Sequence, residues 1–491
     1  MATNAQAPKP MAQIRHIPEC AYVPMSIVQD TPFVDGYTDE ELVNRRISVY
    51  SHMVHNRNNG DLAKEHWYLN HTVSLWNVAV EVGTLISGPD AETLADMLTT
   101  QDLTKCSAGQ GKYTPILNNR GGLINDPVMY RLGAQEFLFT SSDSDMQRIA
   151  EDFLDGLVTA GMALDVQVSM PDIAMVQIQG PNAVDVMRDL LDDDSFMTAD
   201  NYIPYYWFTE CEKNEVGQWV QTAGAKIRRS MTCHDGTVVE ISTPRTGFSR
   251  LPGFECIVYN ASKVGKSFWE TTVAAVRAHG GDQIGPGHTQ RIPGGILSFG
   301  NDITRDGLTN PFEVYVDHTQ LNRIIPISKK GWYRGKEAIE QLRETGPSRK
   351  LVGIRIMGES VGWYNDGSMS RLWHVYDRHD VHWLPESTHR QADGTIRTPA
   401  GDVYDANDAV EVEFGRPEFL GRFYILPEGT QKLGDVTSAC WSPQHEINIA
   451  RGFVPIDQSR EGTNLTVMTE WGLRDAIVIP MPYTPENVDI K

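Results

Sequence analysis

The sequence predicts an α+β protein: two similar α+β halves side by side, followed by a small C-terminal β-barrel-like domain. Three observations predict it. A six-residue phrase recurs, first as Ile86-Ser87-Gly88-Pro89-Asp90-Ala91 and again as Ile178-Gln179-Gly180-Pro181-Asn182-Ala183. Each copy follows a strand-like run and opens an amphipathic helix. The helical stripes are Ala91, Leu94, Ala95 and Leu98 in the first copy, and Ala183, Val186, Met187 and Leu190 in the second. Past Val436 the chain returns to short strand-like runs separated by turns, which reads as a β-rich domain.

Residues 1–37 read as a tail; its start, MATNAQAPKPMAQ, is polar and Pro-containing with no apolar h-region, so no signal peptide is expected. Thr38 and Glu41 have capping-box spacing, and Leu42, Val43 and Ile47 follow as one helical stripe. The runs ahead of the two phrases, 75–85 and 173–178, read as strands. Gly-Pro-Asx suits a helix start, because Pro lacks the amide that would go unpaired and Asp90 or Asn182 can cap the next donors. Residues 128–132 and 137–140 read as a hairpin turning at Gly133, and 262–279 as a helix stopped by Gly280-Gly281. A short helix opens within 331–338, and 351–357 reads as a strand. The stretch from about 358 to 434 is rich in Trp, His, Asp and Gly and has no clean period; it reads as an insertion or a set of long loops. The expected division is a tail at 1–37, a large domain at 38–330, and a β-rich domain at 331–491 that carries the insertion.

Composition narrows the function. At 491 residues the chain exceeds one ordinary domain, and its 40% hydrophobic content with 11 Trp fits a globular protein. A net charge of −21 opposes a non-specific grip on nucleic acid or an anionic membrane, while leaving room for a local basic pocket. The six cysteines are scattered without a CxxC pair, as in reduced cytoplasmic proteins. No run of roughly 18 apolar residues exists, so no membrane span is expected. Gly247-Phe248-Ser249-Arg250-Leu251 lacks the last Gly of GxSxG, and Gly285-Pro286-Gly287 begins neither GxGxxG nor a P-loop, so a nucleotide cofactor is not expected. His374, His379, Asp380, His382 and His389 crowd one stretch. Loop histidines without a helical or strand frame are usually solvated, so no metal is expected there.

Eight phrases in order carry a resemblance: LWNVAVE at 75–81, ISGPDA at 86–91, GGLINDPVMYRL at 121–132, IQGPNA at 178–183, TGFSRLPGFE at 246–255, RIPGGILSFGNDITRDGLTNPFE at 291–313, RGKEA at 334–338 and SACWSPQHEINIARGFV at 438–454. Together the chain resembles the aminomethyltransferase family, meaning the T-protein of the glycine cleavage system and its demethylase relatives. INDPV and LSFGNDITRDGLTNPFE look most like the dimethylsulfoniopropionate demethylases, which move a methyl group to tetrahydrofolate. The tetrahydrofolate-dependent aryl methyl ether demethylases share the scaffold and are longer, as this chain is.

The resemblance implies a tetrahydrofolate cofactor held in the 38–330 domain. It implies that Asp126 lies near the folate's reactive N5, with Asn125 where T-proteins usually carry a second acid. Glu255 matches the pterin-binding glutamate, whose carboxylate suits paired N–H donors. Arg291 is expected at the benzoyl-glutamate side, Tyr113 against the pterin, and Phe299 in the same cofactor phrase. Each has a plainer reading: a turn cap for Asp126, a solvated strand residue for Glu255, a surface ion pair for Arg291, a buried tyrosine for Tyr113. The run Tyr205-Tyr206-Trp207-Phe208 offers faces for an onium ion or an aryl ring, or else fills the core. On a strand, alternation would send Tyr205 and Trp207 one way and Tyr206 and Phe208 the other.

The implied activity is transfer of a methyl group from a small donor, a sulfonium or an aryl methyl ether, to N5 of tetrahydrofolate, giving 5-methyltetrahydrofolate in the cytoplasm. Aminomethyl transfer in glycine cleavage is an alternative, which Asn125 and the extra length oppose. A non-catalytic folate-binding regulator is another, which the intact 121–132 phrase and the aromatic run oppose.

Overall fold

The recurring phrase is a recurring turn. A computed structural model describes residues 29–481 except 45, 51–52, 60, 141–144, 195–202, 305, 316–317, 327, 362–372, 378–381, 386, 406–408, 412–420, 426–430 and 470–471. Both copies leave their strand through a glycine of positive φ, Gly88 at 122° and Gly180 at 128°. A Cβ on Gly88 would stand 2.6 Å from the Asp165 carbonyl oxygen, and one on Gly180 2.7 Å from that of Thr72, so only glycine fits. Helices Ala91–Leu98 and Ala183–Leu190 follow, with all four stripe residues of each buried. The expected caps are not made. Asp90 instead accepts the Asp165 N–H at 2.8 Å, and Asn182 donates to the His279 carbonyl at 3.1 Å, tying each turn to a neighbouring segment.

Each turn belongs to its own sheet. The five-stranded sheet runs Gln167–Ser169, Gly83–Ser87, Glu136–Thr140, Val128–Gly133, Gly111–Tyr113. The six-stranded sheet runs Arg229–Thr232, Val238–Ser242, Gly253–Tyr259, Ile173–Gln179, Ser74–Asn77, Asp282–Ile284. Only the last pair is parallel. The expected strand at 75–85 is therefore two strands in two sheets, with residues 78–82 crossing between them. Asn77 breaks the run: its Oδ1 accepts the Ala79 N–H at 3.2 Å, and its amide donates to the Thr31 and Tyr37 hydroxyls. Val78, Ala79 and Val80 are buried in the crossing, which is why the segment reads as continuous strand.

The hairpin and the helix Ala261–Ala278 stand as expected. So does the capping box, with Thr38 and Glu41 bonded reciprocally, but its helix ends at Asn44 and Ile47 lies in the strand Arg46–Tyr50. The core reaches into the expected tail: the Phe33 and Tyr37 rings stack on Trp269, with centroids 5.6 and 4.8 Å apart.

The C-terminal strands close a six-stranded barrel in the order Arg349–Ile356, Ile447–Pro455, Lys432–Ser442, His374–Tyr376, Asn464–Thr469, Gly472–Ile479. His374–Tyr376 falls inside 358–434, so that stretch is not wholly an insertion. Among its other described residues, six short strands form two small three-stranded sheets, with a core of Leu384, Ile396, Ala409 and Phe423; strands of two or three residues leave no period to read. His379 and Asp380 lie outside the described residues. Among the described residues there is no group of three or more potential metal ligands, and no helix long and apolar enough to cross a membrane.

Candidate active site

A cavity of about 610 Å³ draws its walls from both sheets, from the loop 295–299 and from Tyr315. That volume is in the range of small-molecule sites. Glu255 sits on the six-stranded sheet directly across from Gln177 and is 4% exposed. Its carboxylate accepts three hydrogen bonds, from the Tyr130 hydroxyl (2.5 Å), the Thr246 hydroxyl (2.8 Å) and the Gln177 amide (2.9 Å). Tyr130 belongs to the five-stranded sheet, so this carboxylate also ties the two sheets together. The Gln177 amide oxygen is buried and accepts no hydrogen bond. It stands beside Glu255 as an acceptor without a donor, which calls for a ligand carrying N–H groups.

Asp126 follows the strand Leu123–Asn125 and reaches the cavity from the other side. Its Oδ2 accepts the Tyr113 hydroxyl at 2.8 Å, and Tyr113 lies 3.0 Å from the Tyr315 hydroxyl. Burial, and then the Asp126 charge, push the Tyr113 phenol well above its ordinary pKa, so it remains a donor. Asn125 faces away: it is fully buried, its side-chain oxygen accepts the Asp126 N–H at 2.8 Å, and its amide points at the Met146 sulfur. It orients Asp126 and does not line the cavity.

Tyr205 and Tyr206 both line the cavity, with ring centroids 4.6 Å apart at 74°. They sit in a turn, not a strand, so the expected alternation fails. Tyr206 has φ of 69°, a costly conformation for a bulky residue, and its carbonyl and N–H are pinned by Gly111 and Arg245. Trp207 is a correction: it is 2% exposed and packs in the core behind. Phe299 and Tyr113 line the cavity. Arg291 is the second correction. It is 1% exposed, pairs with Asp302 at 2.6 Å, and does not border the cavity. The guanidiniums that do are Arg250 and Arg323, both at exposed positions.

One cavity-lining carboxyl escaped the sequence reading. Glu81, in the crossing between the sheets, lines the cavity with Asp126 and Glu255. Burial, then Glu255, then Asp126 push its carboxyl well above the usual carboxylate range. The only sequence signal was a carboxylate ending an otherwise apolar run, VAVE.

Comparison with known proteins agrees with this architecture. Residues 43–224 match the GCVT N-terminal domain, and residues 410–484 the glycine cleavage T-protein C-terminal barrel domain. The chain is 25% identical over 456 residues to the dimethylsulfoniopropionate demethylase of Ruegeria pomeroyi, covering 93% of this chain and 97% of that protein. It is 25% identical to a probable aminomethyltransferase of Natronomonas pharaonis, over 81% of this chain and 84% of that one. The crystal structure of the glycine cleavage system aminomethyltransferase T from Bartonella henselae superposes with a TM-score of 0.59 at 17% identity, covering 93% of this chain and 98% of that one, a likeness of fold.

Proposed function

We propose a function from the premise that this chain belongs to the glycine cleavage T-protein, or aminomethyltransferase, family: it is a tetrahydrofolate-dependent enzyme that transfers a methyl group from a small methylated donor. Tetrahydrofolate is the cofactor of this family, and it supplies N5 as the nucleophile that accepts the one-carbon unit.

The observation that carries the reading is one cavity walled by Glu255 from the six-stranded sheet and by Asp126 from the short link between Leu123–Asn125 and Val128–Gly133. The residues fit a reduced pterin. Glu255 Oε1 and the donorless Gln177 Oε1 offer adjacent acceptors, matching the ring N–H and amino group of a pterin edge. Asp126, held by the Tyr113 hydroxyl and the Asn125 side chain, has a fixed orientation from which to hold a proton near N5. Tyr205 and Tyr206 present π-faces to the donor. The cavity's remaining task is alignment, since holding two reactants in line can lower a barrier by about 7–11 kcal/mol.

A second reading, aminomethyl transfer, has less support. Asn125 replaces a carboxylate and is turned from the cavity. The test is incubation of the full chain with tetrahydrofolate and a panel of sulfonium, ammonium, methoxyaromatic and glycine-derived donors. Formation of 5-methyltetrahydrofolate from one class is expected. Formation of 5,10-methylenetetrahydrofolate with ammonia release would favour aminomethyl transfer, and bound folate without turnover would overturn the enzymatic reading.

A further inference from the structure

Three carboxyl groups face one cavity, and their surroundings differ. Glu255 is held by three hydrogen-bond donors and Asp126 by the Tyr113 phenol. Among the described residues none donates to the Glu81 carboxyl, which is half-buried and turned into the cavity. Donors stabilise the ionised form of a carboxyl, and a neighbouring like charge opposes it. Of three crowded carboxyls, the one without donors keeps its proton. The other groups around the cavity do not reverse this. Burial pushes the phenols of Tyr113, Tyr205, Tyr206 and Tyr315 above their ordinary range, so they carry no charge, and the Arg250 and Arg323 cations stand at exposed positions where water screens them.

We propose that Glu81 is the acid of the site, donating its proton to the departing atom of the methyl donor, and that the donor is therefore a methyl ether or an N-methyl compound and not a sulfonium. The proposal rests on the methyl-transfer reading above. As the bond between methyl carbon and heteroatom breaks, the heteroatom keeps the electron pair and takes the Glu81 proton. The acceptor amine would shed one proton on methylation; Asp126, oriented beside it, would take that proton and return it to Glu81, so the cycle is proton-neutral. A sulfonium leaves as a neutral thioether and has no use for an acid. An alkoxide, phenolate or amide anion leaves poorly without one. A neutral carboxyl beside an oriented one is the arrangement by which paired carboxyls divide acid and base work.

The test joins a spectroscopic and a kinetic measurement. Infrared difference spectra of the free protein across neutral pH should show a protonated-carboxyl band that Glu81→Gln removes. With a methoxyaromatic or N-methyl donor, Glu81→Gln should lower kcat about 100-fold or more while the KM for tetrahydrofolate hardly moves. The alkaline fall of the wild-type kcat profile should vanish from the residual rate. Circular dichroism confirms folding of the variant, and the wild-type infrared titration needs no variant. Turnover of sulfoniums alone, with Glu81→Gln as fast as wild type, would overturn the proposal and leave methyl transfer standing. Absence of the infrared band would overturn it too. No turnover of any donor would bring down both.

Discussion

Charge is buried in two regions of this protein, and in opposite ways. At the joint between the barrel and the rest of the chain, one carboxylate stands between two guanidiniums. Asp302 meets Arg291 at 2.6 Å and Arg451 at 3.1 Å, and also accepts the hydroxyls of Thr437 and Ser438. The two cations hold the Asp302 carboxyl well below the usual range. In the cavity, three carboxyls gather around an open space, two held by neutral donors and one by none. Opposite charges brought into contact hold segments together; like charges gathered around a space wait for a ligand. Arg291 was expected in the second region and belongs to the first. Its partner Asp302 stands in the same phrase, but the groups that complete the cluster around that carboxylate, Arg451, Thr437 and Ser438, lie far along the chain.

The comparison is broken most severely at the joint. Asp302→Ala strands two buried guanidiniums and should cost about 3–5 kcal/mol of stability, read by denaturant titration. Arg291→Lys, at the same joint, should lower stability while leaving the affinity for tetrahydrofolate unchanged; a large loss of affinity in a folded variant would return Arg291 to the cofactor. In the cavity the expectation reverses. Asp126→Ala should fold normally yet lose turnover by about 10²–10⁴, measured as 5-methyltetrahydrofolate formed. Glu255→Gln should weaken folate binding by about 10- to 100-fold, as for a lost charge-assisted hydrogen bond of roughly 1.5–3 kcal/mol, followed by tryptophan fluorescence.

A smaller effect sharpens the contrast. Glu65 is buried with only backbone donors, from Asn59 and Gly285, and burial pushes its carboxyl up to about 8. The native state then keeps a proton that the unfolded chain loses. Its contribution to stability is whole below the unfolded pKa of 4.5 and is lost as pH rises towards 8, at no more than about 1.4 kcal/mol per pH unit. Glu65→Gln should flatten that slope in thermal melts; an unchanged slope would place the proton elsewhere.

Local chemistry was legible and long-range pairing was not. The recurring turn could be read because Gly88 and Gly180 answer a steric demand at their own positions. The hairpin and the capping box are likewise contacts between near neighbours. Asp126 and Glu255 were placed together by resemblance, and one cavity does hold both. What escaped reading depended on distant partners. The apolar run 78–80 is buried as a strand would be, yet it crosses between sheets because Asn77 finds Thr31 and Tyr37. Trp207 is core because the turn at Tyr206 spends its two outward positions on Tyr205 and Tyr206. The barrel strand His374–Tyr376 is three residues long, too short to carry a pattern, and is defined by pairing with Asp435 and Met468.

The carbonyl of Ile296 links the two regions. It accepts from Arg291 at 3.0 Å and from Arg451 at 2.6 Å, while Ile296 itself is part of the cavity wall. A barrel residue thus acts as a gauge for the width of a chamber it never enters. Loosening the barrel's grip on that one oxygen would let the wall drift, so damage far from the chemistry should surface first as poor cofactor retention and only later as loss of the fold.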